Sequence, residues 1–527
     1  MLTQKTKEVR RRVDEVKWWL NFVRRAAAGL TKDFSCPAAW GCYADAAMIE
    51  MPDLKRPSTR RSVLLVVVLL LLCSCSKTRP DVFPAGSPMA DSIRFQYAIY
   101  FLPRAPKDPE SVLRDLLARK YSKLRLVKEL PSAPGEMLVQ ARWEKGVQKE
   151  YAPPDQEKLR LWGFGKGLSA KQEQDLQRSE EAFILDFAHP KATVWTALRN
   201  ANELVEEIAR ETNGLVWDEE TRNVFSPDSW HQSRLSTWTS EIPDITTQLT
   251  IHVYQEDEYA RAITLGMVKA GLPDVVIDRF PWSSDSQMGN VINVFAQSMV
   301  EGAVFPKSGK LKLNIGEIKN AALREKELKA IKPPGTSRAC LSLKVGTWEE
   351  GDPKNRLLRL GFDEYPGPDI HAQQDTMINT LFGSSDSVHH VRHNQELLEA
   401  SRKARAKLPE LHKAFNEGLA PGEYIEVKAP FPTPNGDTEW MWVEVAKWKE
   451  GHIKGLLAND PFEIPNLHAG QVVEVKEEDI FDYIHQYADK HREGNTTGDI
   501  LHKMESTASD KLSRPIEVEK PVVPSCD

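Results

Sequence analysis

The sequence predicts an α+β protein: a larger N-terminal mixed α/β region, then a small, mostly antiparallel sheet domain with flanking helices. Three observations support this class. Short apolar stretches with the period of strands alternate with longer stretches of helical period. Their order is mixed and contains few strict strand–helix–strand units. The 527 residues are 41% hydrophobic and 28% charged, which is enough to build packed cores in more than one domain.

The larger region is predicted to span residues 92–390. In Leu249–Tyr254, apolar and polar residues alternate as in a half-buried strand, and the apolar residues of 192–212 recur at helical spacing, ending at Gly214 as a helix cap. Further strands are expected at 94–102, 124–127, 137–143, 182–187, 275–280, 311–315, 339–345 and 357–362, and further helices at 111–118, 286–301, 316–331 and 370–382.

The second domain is predicted to span residues 393–504. It begins with a helix over 396–418, kinked at Pro409, and ends with a helix over 479–487. Strands are expected between them at 424–428, 439–448, 453–457 and 472–475. Residues 505–527 contain three prolines and little apolar periodicity, so a disordered tail is predicted there.

The composition excludes several classes of protein. A mean hydropathy of −0.46 excludes a polytopic membrane protein. Six cysteines in 527 residues exclude a disulfide-rich scaffold. The net charge of −6 gives no reason to expect nucleic acid as a partner.

One segment departs from this soluble pattern. Val63–Leu72 is a run of ten apolar residues, too short to span a bilayer but typical of the centre of a signal peptide. Basic residues precede it, and Leu72-Cys73-Ser74-Cys75 follows and resembles a bacterial lipobox. The sequence therefore predicts a lipoprotein signal peptide over 51–74 and lipid attachment at Cys75, with the bilayer as partner. An ordinary secretory signal or a short anchor helix are the alternatives.

This signal begins fifty residues into the chain. Residues 1–50 are therefore interpreted as an over-extended start, with translation from Met51, or as a cytosolic extension. Either way the protein is predicted to be lipid-anchored in the cell envelope, at the outer membrane or the periplasmic face rather than in the cytoplasm. Residues 75–91, rich in Ser, Pro and Gly, are interpreted as a tether.

Processing changes the charge and the cysteine count. The first 62 residues contain thirteen Lys or Arg and seven Asp or Glu, a charge of +6, and residues 63–74 contain none, so their removal takes the net charge from −6 to −12. Beyond Cys75 only Cys340 and Cys526 remain. They either pair or stay as two free thiols.

The second domain resembles the bacterial domain of unknown function 2314, the YegJ-like family. Five blocks match in order: VKAPFPTPNGDTEWMWVEV (Val427–Val445), IKGLLANDP (Ile453–Pro461), LHAGQVVEV (Leu467–Val475), IFDYIH (Ile480–His485) and EGNTTGDIL (Glu493–Leu501). Gly214–Trp230 and Ile263–Ile277 resemble the longer N-terminal region of larger members. The resemblance transfers no activity and no catalytic residue. The occurrence of family members near toxin and immunity genes favours an immunity-type or other partner-binding role.

The partner-binding candidates lie on or beside the predicted strand 439–448. Alternation places Met441, Val443 and Val445 on one face and Trp440, Trp442, Glu444 and Trp448 on the other. Tryptophans beside a carboxylate suit a binding surface, although a helix that buries them is the alternative. Asn459 and Asp460 begin a turn and are the remaining candidates.

The remaining patterns predict no catalytic, cofactor-binding or metal-binding residue. His389, His390 and His393 lack a further ligand, and Gly163–Gly167 lacks the spacing of a phosphate-binding loop. The carboxylates Asp218, Glu219 and Glu220 are expected to be solvated in a turn.

Three functions follow from these features. The first is a non-enzymatic, membrane-tethered protein that binds a protein partner, and the sequence favours it. The second is an uncharacterised hydrolase that uses His252, Asp218 or Glu444. The third is a passive structural lipoprotein of the envelope.

Overall fold

The computed structural model describes residues 81–102, 104–160, 163–383, 395–509 and 521–526. All of them belong to one compact unit, Arg79–Asp527, which is distinct from Met1–Thr78. The predicted extension 1–50, the signal peptide 51–74, the lipid-attachment residue Cys75 and the histidines His389, His390 and His393 lie outside the described residues. In the described part, helices accompany three sheets of mixed or antiparallel strands, so the α+β prediction is confirmed.

The first sheet has seven strands in the order β2-β3-β5-β1-β6-β7-β4. They are β1 Ser92–Phe101, β2 Arg125–Val127, β3 Leu138–Lys145, β4 Gly165–Lys166, β5 Glu181–Pro190, β6 Gly214–Asp218 and β7 Asn223–Phe225. The accompanying helices are α1 Pro109–Arg119, α2 Val147–Glu150, α3 Gln156–Arg160, α4 Ala170–Leu176, α5 Val194–Thr212 and α6 Pro227–Trp230. Helices α1 and α5 supply apolar side chains to the larger core of this sheet.

Helix α5 confirms the helix predicted at 192–212 but corrects its cap. Asn213 adopts the left-handed conformation at the end of the helix, with φ of 53°, and its N–H donates to the carbonyl of Ala209. Asparagine tolerates this conformation because its short polar side chain can bond locally. Gly214 is instead the first residue of β6, where a Cβ would lie 2.3 Å from Cγ2 of Ile99. The glycine therefore permits close strand packing.

The second sheet has six strands in the order β11-β12-β13-β10-β9-β8. They are β8 Thr250–Glu256, β9 Tyr259–Leu265, β10 Asp274–Phe280, β11 Lys310–Asn314, β12 Arg338–Val345 and β13 Leu357–Gly361. Its helices are α7 Asp285–Val300, α8 Ala321–Lys329 and α9 Ile370–Phe382. The apolar side chains of α7 and α9 pack with one face of the sheet to form a separate core.

The tether prediction for residues 75–91 is wrong from Asp81 onward. Phe83 is buried in the core of the second sheet, and its N–H donates to the carbonyl of Leu343 at 2.9 Å. Gly86 and Phe305 exchange two backbone hydrogen bonds, each 2.9 Å long. A Ser-, Pro- and Gly-rich composition suits an irregular packed segment as well as a free linker, because the contacts that fix it come from distant residues.

The third sheet is entirely antiparallel, in the order β17-β16-β15-β14-β18-β19. Its strands are β14 Tyr424–Pro432, β15 Thr438–Lys449, β16 His452–Leu457, β17 Val472–Lys476, β18 Asp482–Gln486 and β19 Arg492–Gly494. Three helices flank it: α10 Gln395–Arg405, α11 Leu408–Glu417 and α12 Thr496–Ser509. This C-terminal domain has its own apolar core, as the small antiparallel domain of the prediction requires.

Two predicted helices of this domain are corrected. The helix over 396–418 is two helices, α10 and α11, and Pro409 lies in the first turn of the second, where its missing N–H costs no hydrogen bond. Residues 482–486 of the predicted helix 479–487 form strand β18, which is buried throughout between β14 and β19. Strand β18 mixes polar and apolar residues in the sequence DYIHQ and is buried at all five positions, so it has no period that separates strand from helix.

The predicted tail 505–527 is also corrected in part. Helix α12 extends to Ser509, and Cys526 forms a disulfide with the fully buried Cys340 of β12, with 5.7 Å between the Cα atoms. Of the two alternatives for these cysteines, the structure therefore shows the pair. The bond joins the end of the chain to the second sheet, across 186 residues of sequence.

Candidate protein-binding site in the C-terminal domain

Strand β15 has the two faces that its alternation predicts, with one exception. Met441, Val443 and Val445 are buried in the domain core. A bulge between Val445 and Lys447 shifts the register against β16. A bulge of this kind moves the following side chains to the opposite face. Trp448 therefore lies in the core with the aliphatic residues, and its predicted place beside Trp440 and Trp442 is wrong.

Trp440 and Trp442 remain on the other face and are half-buried. Trp440 packs on Phe481, with 4.7 Å between the ring centroids, in a small apolar cluster with Leu397 and Leu501. The ammonium group of Lys428 lies 5.6 Å from the ring of Trp442. Helices α10 and α12 thus cover Trp440, whereas Trp442 makes a cation–π contact with Lys428.

Glu444 is engaged inside the chain. Its side chain is buried, and its two carboxylate oxygens accept hydrogen bonds from the N–H groups of Trp282 and Ser283 at 2.8 and 2.7 Å. Trp282 and Ser283 open the 3₁₀ turn Trp282–Ser284, which leads into helix α7, so the carboxylate accepts from the first N–H groups of that turn. Burial raises the pKa of Glu444, and the two N–H donors oppose the rise. Glu444 thereby fixes the C-terminal domain to the second sheet's domain.

Asn459 and Asp460 begin the loop 458–471 that joins β16 to β17, which we call the β16–β17 loop. The Ala458 N–H donates to the carbonyl of Trp442 at 2.9 Å, so the start of the loop lies beside that tryptophan. The carboxylate of Asp460 accepts a hydrogen bond from the Ala469 N–H at 2.7 Å, which closes the loop across nine residues. The structure thus brings Trp442, Asn459 and Asp460 together.

The tip of the β16–β17 loop presents an aromatic side chain that the sequence argument missed. Phe462 is 67% exposed. The N–H groups of Phe462 and Glu463 donate to the two carboxylate oxygens of Glu439, at 2.7 and 3.0 Å. The backbone that presents this ring is therefore held from two sides, by Glu439 and by Asp460. A phenylalanine between turn residues and an acidic residue is the signal that could have indicated it.

The other end of the loop rests on the second sheet's domain. The hydroxyl of Tyr259 donates to the carbonyl of Gly470 at 3.0 Å, and His468 Nε2 lies 3.2 Å from a carboxylate oxygen of Asp369. The ring of His371 stacks on Tyr259 with 4.1 Å between centroids. Burial lowers the pKa of His371. These contacts add a third support to the loop.

The three residues considered for a hydrolase have separate surroundings. The Asp218 carboxylate is buried and accepts from Arg234 Nη2 at 2.9 Å and from Lys269 Nζ at 2.5 Å. Glu444 is occupied by backbone N–H groups of another segment. The ring of His252 lies against Tyr254, with 5.7 Å between centroids. The arrangement resembles no acid–base pair with a shared substrate position.

The expected solvated turn of carboxylates is also corrected. Asp218 is fully buried, and although burial favours its neutral form, Lys269 and Arg234 hold its pKa below the usual range. Burial, together with the charge of Asp218, raises the pKa of Glu220 to about 7. Glu219 is exposed and accepts from the indole N–H of Trp217 at 2.6 Å. Asp218 therefore acts as a structural counter-ion.

The remaining sequence patterns concern metal ligands, the glycine-rich stretch and membrane-spanning helices. Within the described residues, no three His, Cys, Asp or Glu side chains are grouped as metal ligands. The glycine-rich stretch contains the short strand β4, Gly165–Lys166, which pairs with β7. In the same part of the chain, no helix is long and apolar enough to cross a membrane.

Residues 394–515 match the family described as "Uncharacterized protein conserved in bacteria (DUF2314)". The match covers the C-terminal domain that carries the β16–β17 loop. Over 118 residues the chain is also 30% identical to "Uncharacterized protein YegJ" of Escherichia coli strain K12, a stretch that covers 22% of this chain and 75% of that protein. The chain therefore belongs to the DUF2314, or YegJ-like, family. No solved structure matches it.

Proposed function

We propose that this chain is a lipid-anchored protein of the bacterial cell envelope whose C-terminal domain binds a protein partner. The anchor is Cys75, acylated after cleavage of the signal peptide 51–74. The partner-binding surface is the β16–β17 loop with the adjoining Trp442. An immunity-type role, in which the partner is a toxin, is one form of this function.

The disulfide between Cys340 and Cys526 supports the compartment. Disulfides form and persist in oxidising surroundings such as the periplasm and the cell surface, and are rare in the reducing cytoplasm. The bond is consistent with the predicted signal peptide 51–74, whose basic start and apolar centre would direct export. Two unrelated features thus favour the same location.

The observation that carries the binding function is the exposed ring of Phe462 on a fixed backbone. Large aromatic side chains contribute much of the binding energy of protein interfaces. A loop that is already ordered loses little conformational entropy when a partner binds. The hydrogen bonds to Glu439 and Asp460 supply this order. Asn459 Oδ1, which is buried and has no hydrogen-bond partner among the described residues, is a polar group of the same loop.

We expect Phe462→Ala to reduce capture of the partner at least about tenfold, because truncation of a central aromatic anchor costs more than about 1.4 kcal/mol. The measurement is quantitative mass spectrometry of proteins retained by the tagged, full-length chain from detergent-solubilised envelopes. Leu398→Ala is the matched control, since Leu398 is 53% exposed and lies on α10, away from the loop in sequence.

The control variant should retain the same protein at the wild-type level. If the wild-type chain retains no specific protein, or if Phe462→Ala retains it as well as Leu398→Ala does, the proposed binding surface is wrong.

A further inference from the structure

The chain enters the fold at Asp81, on the β12 side of the second sheet. The carbonyl of Asp81 accepts a hydrogen bond from the Val345 N–H at 3.0 Å, and Val82 forms a bridge with Lys344. Two residues later the buried Phe83 packs edge-on against Phe305, with 5.7 Å between the centroids. The backbone from Asp81 onward is therefore part of the folded body.

The distance from this point to the proposed anchor is short. Asp81 is the sixth residue after Cys75. A fully extended chain spans at most about 3.6 Å per residue, so the link reaches no more than about 22 Å. A lipid on Cys75 therefore leaves the surface around Asp81 within this distance of the lipid headgroups.

We propose that the surface formed by Val82, Val304 and Lys307 lies against the headgroup layer of the bilayer. We call it the entry surface. The inference rests on the proposed acylation of Cys75 and adds to it an orientation of the folded body. The occupant is a lipid surface, because the short covalent link places one there.

The side chains of the entry surface suit this neighbour. Val304 is 64% exposed and Val82 is 47% exposed, although both are apolar. Val304 precedes Phe305, whose backbone bonds to Gly86 of the entering segment. Further along, Gly309 lies against Val82 of the same segment, since a Cβ on Gly309 would be 2.4 Å from that side chain. The two valines therefore belong to one patch. Exposed apolar groups beside lysines are typical of surfaces that rest on lipid headgroups.

The charges near the entry surface also suit a lipid neighbour. Lys307 is exposed. Two further lysines pair with carboxylates: Lys310 with Glu364 at 2.8 Å and Lys344 with Asp363 at 2.9 Å. Asp81 is a further acid at the entry point. These three lysines and three acids balance, whereas the mature chain has a net charge of −12. The region is thus less repelled by anionic headgroups than the chain as a whole.

The sheet order separates this surface from the C-terminal domain. The C-terminal domain contacts the sheet through Tyr259 of β9, whereas the chain enters at β12, three strands away. Strands lie about 4.8 Å apart, so the two contact strands are roughly 14 Å apart across the sheet. The second sheet therefore acts as a spacer between the lipid and the partner-binding domain.

Photo-cross-linking in native membranes tests the orientation. A benzophenone amino acid is introduced into the full chain in place of Val304, and in a second variant in place of Leu398, which has similar exposure on α10. After irradiation, lipid adducts are counted by mass spectrometry. We expect at least tenfold more lipid adduct at position 304 than at position 398.

The same samples are labelled with a palmitate analogue and run on a non-reducing gel. A label on the chain with equal lipid adduct at both positions would overturn the orientation and leave the anchor intact, whereas an unlabelled chain would overturn the anchor. The disulfide between Cys340 and Cys526 reports that each variant has folded. Insertion of thirty Gly/Ser residues between Thr78 and Arg79 should lower the adduct at 304 towards the level at 398. An unchanged yield would contradict the argument from length.

Discussion

Cys526→Ser is expected to lower the free energy of unfolding by about 2–5 kcal/mol, the usual cost of removing a native disulfide. The bond between Cys340 and Cys526 closes a loop of 186 residues, and a cross-link across a long loop restricts the unfolded chain strongly. Unfolding in urea, followed by tryptophan fluorescence, measures the loss. A reducing agent should shift the wild-type midpoint to that of the variant and leave the variant unchanged.

Ser525→Ala is the matched control, because it alters the neighbouring side chain and keeps the disulfide. Its unfolding midpoint should equal that of the wild type. A wild-type midpoint that does not respond to the reducing agent, or two free thiols in the native protein, would contradict the pairing on which the oxidising compartment rests.

Asp218→Asn is expected to cost about 3–5 kcal/mol, because it leaves two buried cations without their counter-ion. The carboxylate of Asp218 accepts from Arg234 and Lys269, and all three side chains are almost fully buried. Burial already lowers the pKa of Lys269 to about 8, against the opposing charge of Asp218. Removal of that charge takes away the main interaction that keeps Lys269 protonated. Denaturant unfolding of the variant measures the effect.

Asp228→Asn provides the comparison with a surface pair. Asp228 lies 2.7 Å from Arg210, but its side chain is 89% exposed. Water and salt screen such a pair, so we expect a loss below about 1 kcal/mol. Equal effects of the two substitutions would show that burial does not decide the contribution of Asp218.

The sequence predicts most of the fold where the pattern is local. The alternation of Leu249–Tyr254 and the helical spacing of 192–212 appear in the structure as β8 and α5. The wrong predictions concern segments whose structure is set by contacts with distant residues. Strand β18 mixes polar and apolar residues without a clear period, and its pairing with β14 and β19 makes it a strand. The Ser-, Pro- and Gly-rich segment after Asp81 is fixed by contacts with β12.

In the candidate site, too, local patterns could be predicted and contacts between distant residues could not. The turn at Asn459 and Asp460 could be predicted because these residue types form turns by local hydrogen bonds. The engagement of Glu444 could not, since its donors lie 161 and 162 residues away. Phe462 was missed because exposure of an aromatic side chain depends on what packs around it. The bulge that moves Trp448 into the core likewise has no signal in the strand's own alternation.

Metabolic labelling with a palmitate analogue tests directly whether Cys75 carries a lipid. Cells that express the full chain or its Cys75→Ala variant are labelled, and the purified proteins are compared. We predict a label on the wild-type protein, a mature N-terminus at Cys75, and loss of both in the variant. The Cys340–Cys526 disulfide should be retained if the variant still reaches an oxidising compartment. An unlabelled wild-type chain, or equal labelling of both chains, would contradict the lipid anchor.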